Sequence, residues 1–255
     1  LDEGATIRPI DPSTVTAMPL PTDDGEGELD AYLVPSHGEV PELADTLVVY
    51  NHGRYANIEH YLPRVRMLHE AGYAVLVWDF RGYGKSSEGT ATPAQFLADA
   101  RTVRAAAAAV APDPDRVVVY GYSLGAIPAI EMGREQPGCA LVIEAGFTSL
   151  ARTARANTSL SLGEGMLSEA LYDNVERVSE VGSPVFYLHG SLDNFQPVED
   201  ARAGYANAPD PKDFWELPGV LHGISNGGVP EAGFADYDQH IQEFLRESAP
   251  GCLGP

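Results

Sequence analysis

Short, mostly apolar runs alternate along this chain with stretches in which apolar residues recur every three or four positions. The runs lie at 46–50, 74–78, 116–120, 140–143, 185–188 and 214–217, and valine and leucine dominate them. Apolar runs of this length without polar alternation are the pattern of strands buried on both faces. Between the runs, Ile58, Tyr61, Leu62, Val65 and Leu68 fall on one helical face. Residues 92–111 read as a helix whose alanine-rich stretch lets it lie close on a sheet, and Phe234, Tyr237, Ile241, Phe244 and Leu245 give a closing amphipathic helix. Before them, 14–18 and 29–34 flank a turn at Asp23-Asp24-Gly25 and predict an antiparallel hairpin. Strands alternating with helices predict an α/β fold: eight strands, mostly parallel, with helices on both faces, in a single domain over 1–255.

One stretch breaks the rhythm. Residues 153–172, inside a segment of about 150–180, are polar and weakly periodic, rich in serine, glycine and asparagine. An insertion of that kind in a compact domain predicts a short lid, with Phe147, Leu160, Leu162, Met166 and Leu167 turned toward a substrate. A small lid encloses little volume, so short to medium acyl chains are the expected preference.

Charge narrows the partners. The formal net charge is −21, from 37 acidic against 16 basic residues, and only Lys85 and Lys212 are lysines. Such a surface repels phosphate backbones and anionic lipid headgroups, which argues against nucleic acid. No apolar run reaches the roughly 18 residues of a transmembrane helix. Cys139 and Cys252 have no metal-ligand spacing, so no metal site is expected. The chain begins at Leu1 without a methionine, which points to a removed leader or a trimmed start.

The chemistry centres on Gly121-Tyr122-Ser123-Leu124-Gly125, set between the strand Val117–Tyr120 and a helix. A strand that turns abruptly into a helix crowds its backbone, so side chains at Gly121 or Gly125 would collide with neighbours. The serine at the apex is lifted clear of the sheet at a helix N-terminus that favours developing negative charge. The competing reading is a glycine-flanked helix cap. A serine nucleophile needs a base, and the base needs an orienting acid. In a parallel sheet such groups gather at the carboxyl ends of strands. Asp193 follows one strand and His222 follows the last, giving the order Ser123, Asp193, His222. Glu144, ending the strand after the serine helix, is the second candidate acid. His60, His69 and His240 fall in helices, His37 in an early loop, and His189 in the turn that leads to Asp193. The oxyanion donors expected are the backbone amides of Leu124 and of Arg54, with Tyr55 as the neighbouring alternative, in the loop Asn51-His52-Gly53-Arg54-Tyr55. Tyr55, Tyr122 and Phe147 are the candidate substrate contacts.

Together these motifs resemble the α/β-hydrolase superfamily over nearly the whole chain. The His52-Gly53 turn is similar to its oxyanion loop, Asp79-Phe80-Arg81-Gly82-Tyr83-Gly84-Lys85-Ser86 to its Asp-x-Arg-Gly-x-Gly-x-Ser segment, and His189-Gly190-Ser191-Leu192-Asp193 to its acid loop. Asp79 and Arg81 are expected to brace their turn. The resemblance is to short-lid serine hydrolases, such as abhydrolase-domain monoacylglycerol lipases and protein depalmitoylases, whose oxyanion loops carry small and amide residues where this chain has Arg54-Tyr55. It implies the α/β-hydrolase fold, a Ser-His-Asp triad without cofactor, and a small-molecule or lipid-like ester or thioester substrate. An oligopeptidase-like activity and a non-catalytic binding role on the same fold are the alternatives. The topology brings Cys139, at the start of its strand, and Cys252, after the last helix, toward the same edge of the sheet. They are expected either to form a disulfide, which would favour an extracytoplasmic location, or to be two free thiols, which leaves the cytoplasm open.

Overall fold

The computed structural model describes residues 7–149, 173–222 and 233–254. The apolar runs form strands. Four short ones, β1 (Thr16–Ala17), β2 (Leu20–Pro21), β3 (Glu28–Leu29) and β4 (Ala31–Val34), precede β5 (Leu47–Asn51), β6 (Ala74–Trp78), β7 (Val117–Tyr122), β8 (Ala140–Glu144), β9 (Val185–Gly190) and β10 (Lys212–Leu217). Eight of these join in one sheet, ordered β1-β4-β6-β5-β7-β8-β9-β10. Every pairing from β6 to β10 is parallel, and β4 is antiparallel to both β1 and β6. The N-terminal hairpin closes in two separate ladders, β2 against β3 around its turn and β1 against β4.

Why the runs lack polar alternation is visible in β7. Val117 and Val119 enter one core, with Ala100 and Val103 from α2 (Pro93–Val110) and Ile130 from α3 (Ala126–Glu135). Val118, Tyr120 and Tyr122 enter the other, with Tyr61 and Val65 from α1 (Ile58–Glu70). Between α3 and the last helix come α4 (Asn174–Arg177) and α5 (Val198–Asn207); α6 (Phe234–Glu247) then adds Tyr237, Phe244 and Leu245 to the second core. Thr92 and Gln95 form a reciprocal capping box that fixes the start of α2, and Pro93 takes the first turn where its missing N–H costs nothing. The sequence pattern did not indicate α5. Its buried face is only Val198, Ala201 and Gly204, too small for an apolar stripe. The proposed lid at 153–172 lies outside the described residues. Among the described residues no helix is long and apolar enough to cross a membrane.

Cys139 and Cys252 are joined by a disulfide, with Cα atoms 5.2 Å apart across 113 residues of sequence. Cys139 immediately precedes β8, and Cys252 is buried in the turn after α6, where its carbonyl accepts the Thr46 hydroxyl at 2.6 Å. The bond therefore ties the end of the chain beneath the sheet. Closing a loop of that length stabilises by about 4–5 kcal/mol in the chain-entropy treatment. Reduction, or a Cys139→Ser/Cys252→Ser pair, is expected to lower the urea midpoint accordingly. A midpoint unchanged by reductant would show that the bridge contributes nothing to folding.

Candidate active site

β7 delivers Ser123 to the carboxyl edge of the sheet, and the chain turns there into α3 through one 3₁₀ turn, Ser123–Gly125. Ser123 has φ of +52°, a left-handed conformation that a non-glycine residue adopts at a cost and keeps only where its surroundings hold it. The surroundings do so. The Phe147 N–H donates to the Ser123 carbonyl at 2.9 Å, and the two flanking glycines let the backbone close. A Cβ on Gly125 would sit 2.0 Å from the Asn51 carbonyl oxygen, and one on Gly121 would sit 2.6 Å from the Gly125 carbonyl oxygen. The first of these contacts brings the end of β5, and with it the loop at 52–57, against the serine turn.

Three side chains from separate loops line up at this turn. Ser123 Oγ lies 2.9 Å from His222 Nε2, and His222 Nδ1 lies 2.7 Å from Asp193 Oδ2. Asp193 follows β9, and His222 follows β10, the edge strand paired in parallel with it. The other oxygen of Asp193 accepts the N–H groups of Phe195 and Gln196, both at 2.8 Å. Burial would raise the Asp193 carboxyl, but hydrogen bonds from His189 and His222 outweigh it and hold the group well below the usual carboxylate range. Its folded value lies below its unfolded one, so the stability it adds is fully present above the ordinary carboxylate pKa and is lost progressively as pH falls from there through the depressed value.

Glu144, the other candidate acid, is committed elsewhere. Its buried carboxylate pairs with Arg64 at 2.8 Å and accepts the Tyr120 hydroxyl at 2.9 Å. The Arg64 guanidinium in turn covers the Tyr122 ring at 3.9 Å, and the Tyr122 hydroxyl donates to the His222 carbonyl at 2.9 Å. Tyr122, a candidate substrate contact, is fully buried, and its hydroxyl ties it to the histidine loop. Sequence spacing contained the signal, because Tyr122 shares a sheet face with Val118 and Tyr120.

In the loop after β5, the Tyr55 N–H donates to the Tyr61 hydroxyl at 3.0 Å, so that amide is occupied. The amide of Arg54 precedes it, and Leu124 lies in the first turn after the serine, where N–H groups lack intrahelical acceptors. His52 is fully buried, stacked on Phe80 at 4.1 Å, with Nε2 3.2 Å from Asp79 Oδ1. Asp79 and Arg81 brace their loop separately: Asp79 caps α1 by accepting the Ile58 N–H at 2.9 Å, while Arg81 pairs with Asp99 and Asp24. Phe147 is half-buried next to the serine turn, and Tyr55 is exposed. Sequence reasoning did not anticipate Arg64, nor the contact of His189 with Asp193.

A mostly parallel eight-stranded sheet, with a strand–serine–helix turn at its carboxyl edge, defines an α/β-hydrolase. Residues 43–170, half of the chain, match the family described as serine aminopeptidase, S33, and the chain belongs to that family. It is 34% identical over 157 residues to an uncharacterized protein of Mycobacterium tuberculosis, covering 61% of this chain and 55% of that one. It is 27% identical over 177 residues to human alpha/beta hydrolase domain-containing protein 17B, covering 68% and 56%. The chain thus spans about half the length of these two relatives. In fold it is similar to an esterase of Pyrococcus furiosus, with a TM-score of 0.71 and 22% identity over 92% of this chain and 93% of that one.

Proposed function

We propose that this chain hydrolyses carboxylic esters, thioesters included, through an acyl-enzyme on Ser123. The observation that carries the reading is the continuous hydrogen-bonded line from Ser123 Oγ through His222 to Asp193. Ser123 Oγ attacks the acyl carbon as its proton passes to His222 Nε2. The oxyanion is received by the Leu124 and Arg54 amides. The alcohol or thiol leaves with the proton from His222, water attacks the acyl-serine with His222 again as base, and the acid departs. The similarity in fold to a solved esterase supports the same reading.

The mouth of the site favours an apolar group on that ester. The exposed large apolar side chains among the described residues are Tyr55, Leu192, Phe195 and Leu221. Each lies on a loop that carries one of the proposed site residues, and the Phe195 ring stands 5.2 Å from that of His222. An aminopeptidase activity, which the family description suggests, needs a carboxylate or carbonyl cage for the substrate ammonium. Arg54 is exposed in the loop after β5, and its positive charge there disfavours an ammonium.

A panel of p-nitrophenyl esters of increasing chain length, run beside aminoacyl p-nitroanilides and a fluorophosphonate label, tests the proposal. The expected result is stoichiometric labelling, with the highest kcat/KM on short to medium esters and little anilide turnover. Preferred cleavage of the anilides would establish a peptidase in place of an esterase. Absence of both labelling and turnover would establish a binding protein.

A further inference from the structure

His189, which precedes the last residue of β9, has a fully buried side chain. Its Nε2 lies 2.7 Å from the Gln196 carbonyl oxygen and 3.1 Å from Asp193 Oδ2. A carbonyl only accepts, so Nε2 carries a hydrogen. Among the described residues its Nδ1 is buried without a hydrogen-bond partner. Leaving a buried polar atom unpaired is costly, and an aromatic hydrocarbon side chain of similar volume would avoid the cost. Packing therefore does not account for an imidazole here. The Nε2–H does, because both of its acceptors belong to the acid loop.

We propose, on the reading that Asp193 orients His222, that His189 is a positioning residue for this acid: its Nε2–H, shared between Gln196 O and Asp193 Oδ2, fixes the carboxylate against His222 Nδ1. Two backbone amides anchor Oδ1, but they leave the carboxylate free to swing Oδ2 about that anchor. The contact from His189 to Oδ2 restricts that freedom. The bond to Gln196 O closes the loop between strand and acid at the same point.

The test is a double-mutant cycle between His189→Phe and Asp193→Asn, with His189→Gln and His189→Asn as donor controls, on p-nitrophenyl butyrate. His189→Phe is expected to lower kcat by about 10- to 100-fold, the scale of an ångström-sized misplacement, with KM within about twofold of wild type. His189→Gln, whose amide nitrogen reaches the position of Nε2, should recover most of kcat, and the shorter His189→Asn should not. In the Asp193→Asn background, His189→Phe should cost less than about twofold more, because its effect runs through the carboxylate. An equal loss in both backgrounds, or a fall in melting temperature with kcat intact, would overturn the proposal and leave His189 a packing residue. Should His189→Phe not fold, the ordering of the Gln and Asn variants decides alone: equal kcat in the two overturns the proposal. Failure of the underlying site would be visible separately, as normal turnover by Asp193→Asn with His189 intact.

Discussion

Ser123→Ala is expected to reduce ester turnover by about 10³-fold or more, to the residual rate that binding and the oxyanion donors sustain without a nucleophile. The serine hydroxyl is the only part of the proposed machinery that forms a bond to the acyl carbon. His222→Ala should be about as damaging, since Ser123 Oγ then has no base at 2.9 Å. Residues that act as one unit are not additive, so Ser123→Ala/His222→Ala should be little worse than either alone. Asp193→Asn should be damaging but less so than either, because the carboxylate orients the base and takes no part in bond making. Fluorophosphonate labelling should vanish with Ser123→Ala. Normal turnover by this variant would sink the ester hydrolase reading as a whole.

The fold was legible because its central strands, β5 to β9, are buried on both faces. β6 and β8 coincide with the apolar runs almost to the residue, and the closing helix follows the stripe from Phe234 to Leu245. The elbow was legible for a different reason. The geometry of a strand–turn–helix restricts side chains at two positions, and the glycines at 121 and 125 advertise that restriction in the sequence. What escaped were elements whose burial relies on small or charged groups. The buried face of α5 ends in Gly204, where a Cβ would stand 2.7 Å from the Tyr187 hydroxyl, so close packing replaces an apolar stripe.

In the candidate site, residues that the sequence motifs single out are brought together, while the residues packed around them carry no such signal. Ser123, Asp193 and His222 each follow a strand, and topology brings them into one line. Tyr122 neighbours Ser123 in sequence, and strand alternation places its ring with Val118 and Tyr120 in the buried core. Glu144 competed with Asp193 on position alone, since a strand end says where a carboxylate starts and not which cation will claim it. In the structure Glu144 is paired with Arg64, whose charge reads as solvent-exposed in the sequence. Its position says otherwise, for it lies three residues after Tyr61 and four before Leu68, inside the stripe that α1 buries.

That buried pair should make Arg64 and Glu144 stability residues. Both side chains are nearly inaccessible, and burial alone would make the guanidinium easier to deprotonate; the adjoining carboxylate reverses this and keeps it charged. Removing one partner leaves the other charge buried without its counterpart, which costs about 3–5 kcal/mol in comparable pairs. Glu144→Gln and Arg64→Met are each expected to lower unfolding free energy on that scale, read from urea titrations. Replacing both, Arg64→Met with Glu144→Leu, should recover much of the loss, because two well-packed apolar groups carry no desolvation penalty. The same comparison tests the assignment of the acid. Glu144→Gln should mainly destabilise and leave kcat of the folded fraction largely intact, whereas Asp193→Asn should mainly lower kcat. If Glu144→Gln instead proves the more harmful to kcat, the orienting carboxylate is Glu144 and Asp193 is the structural one.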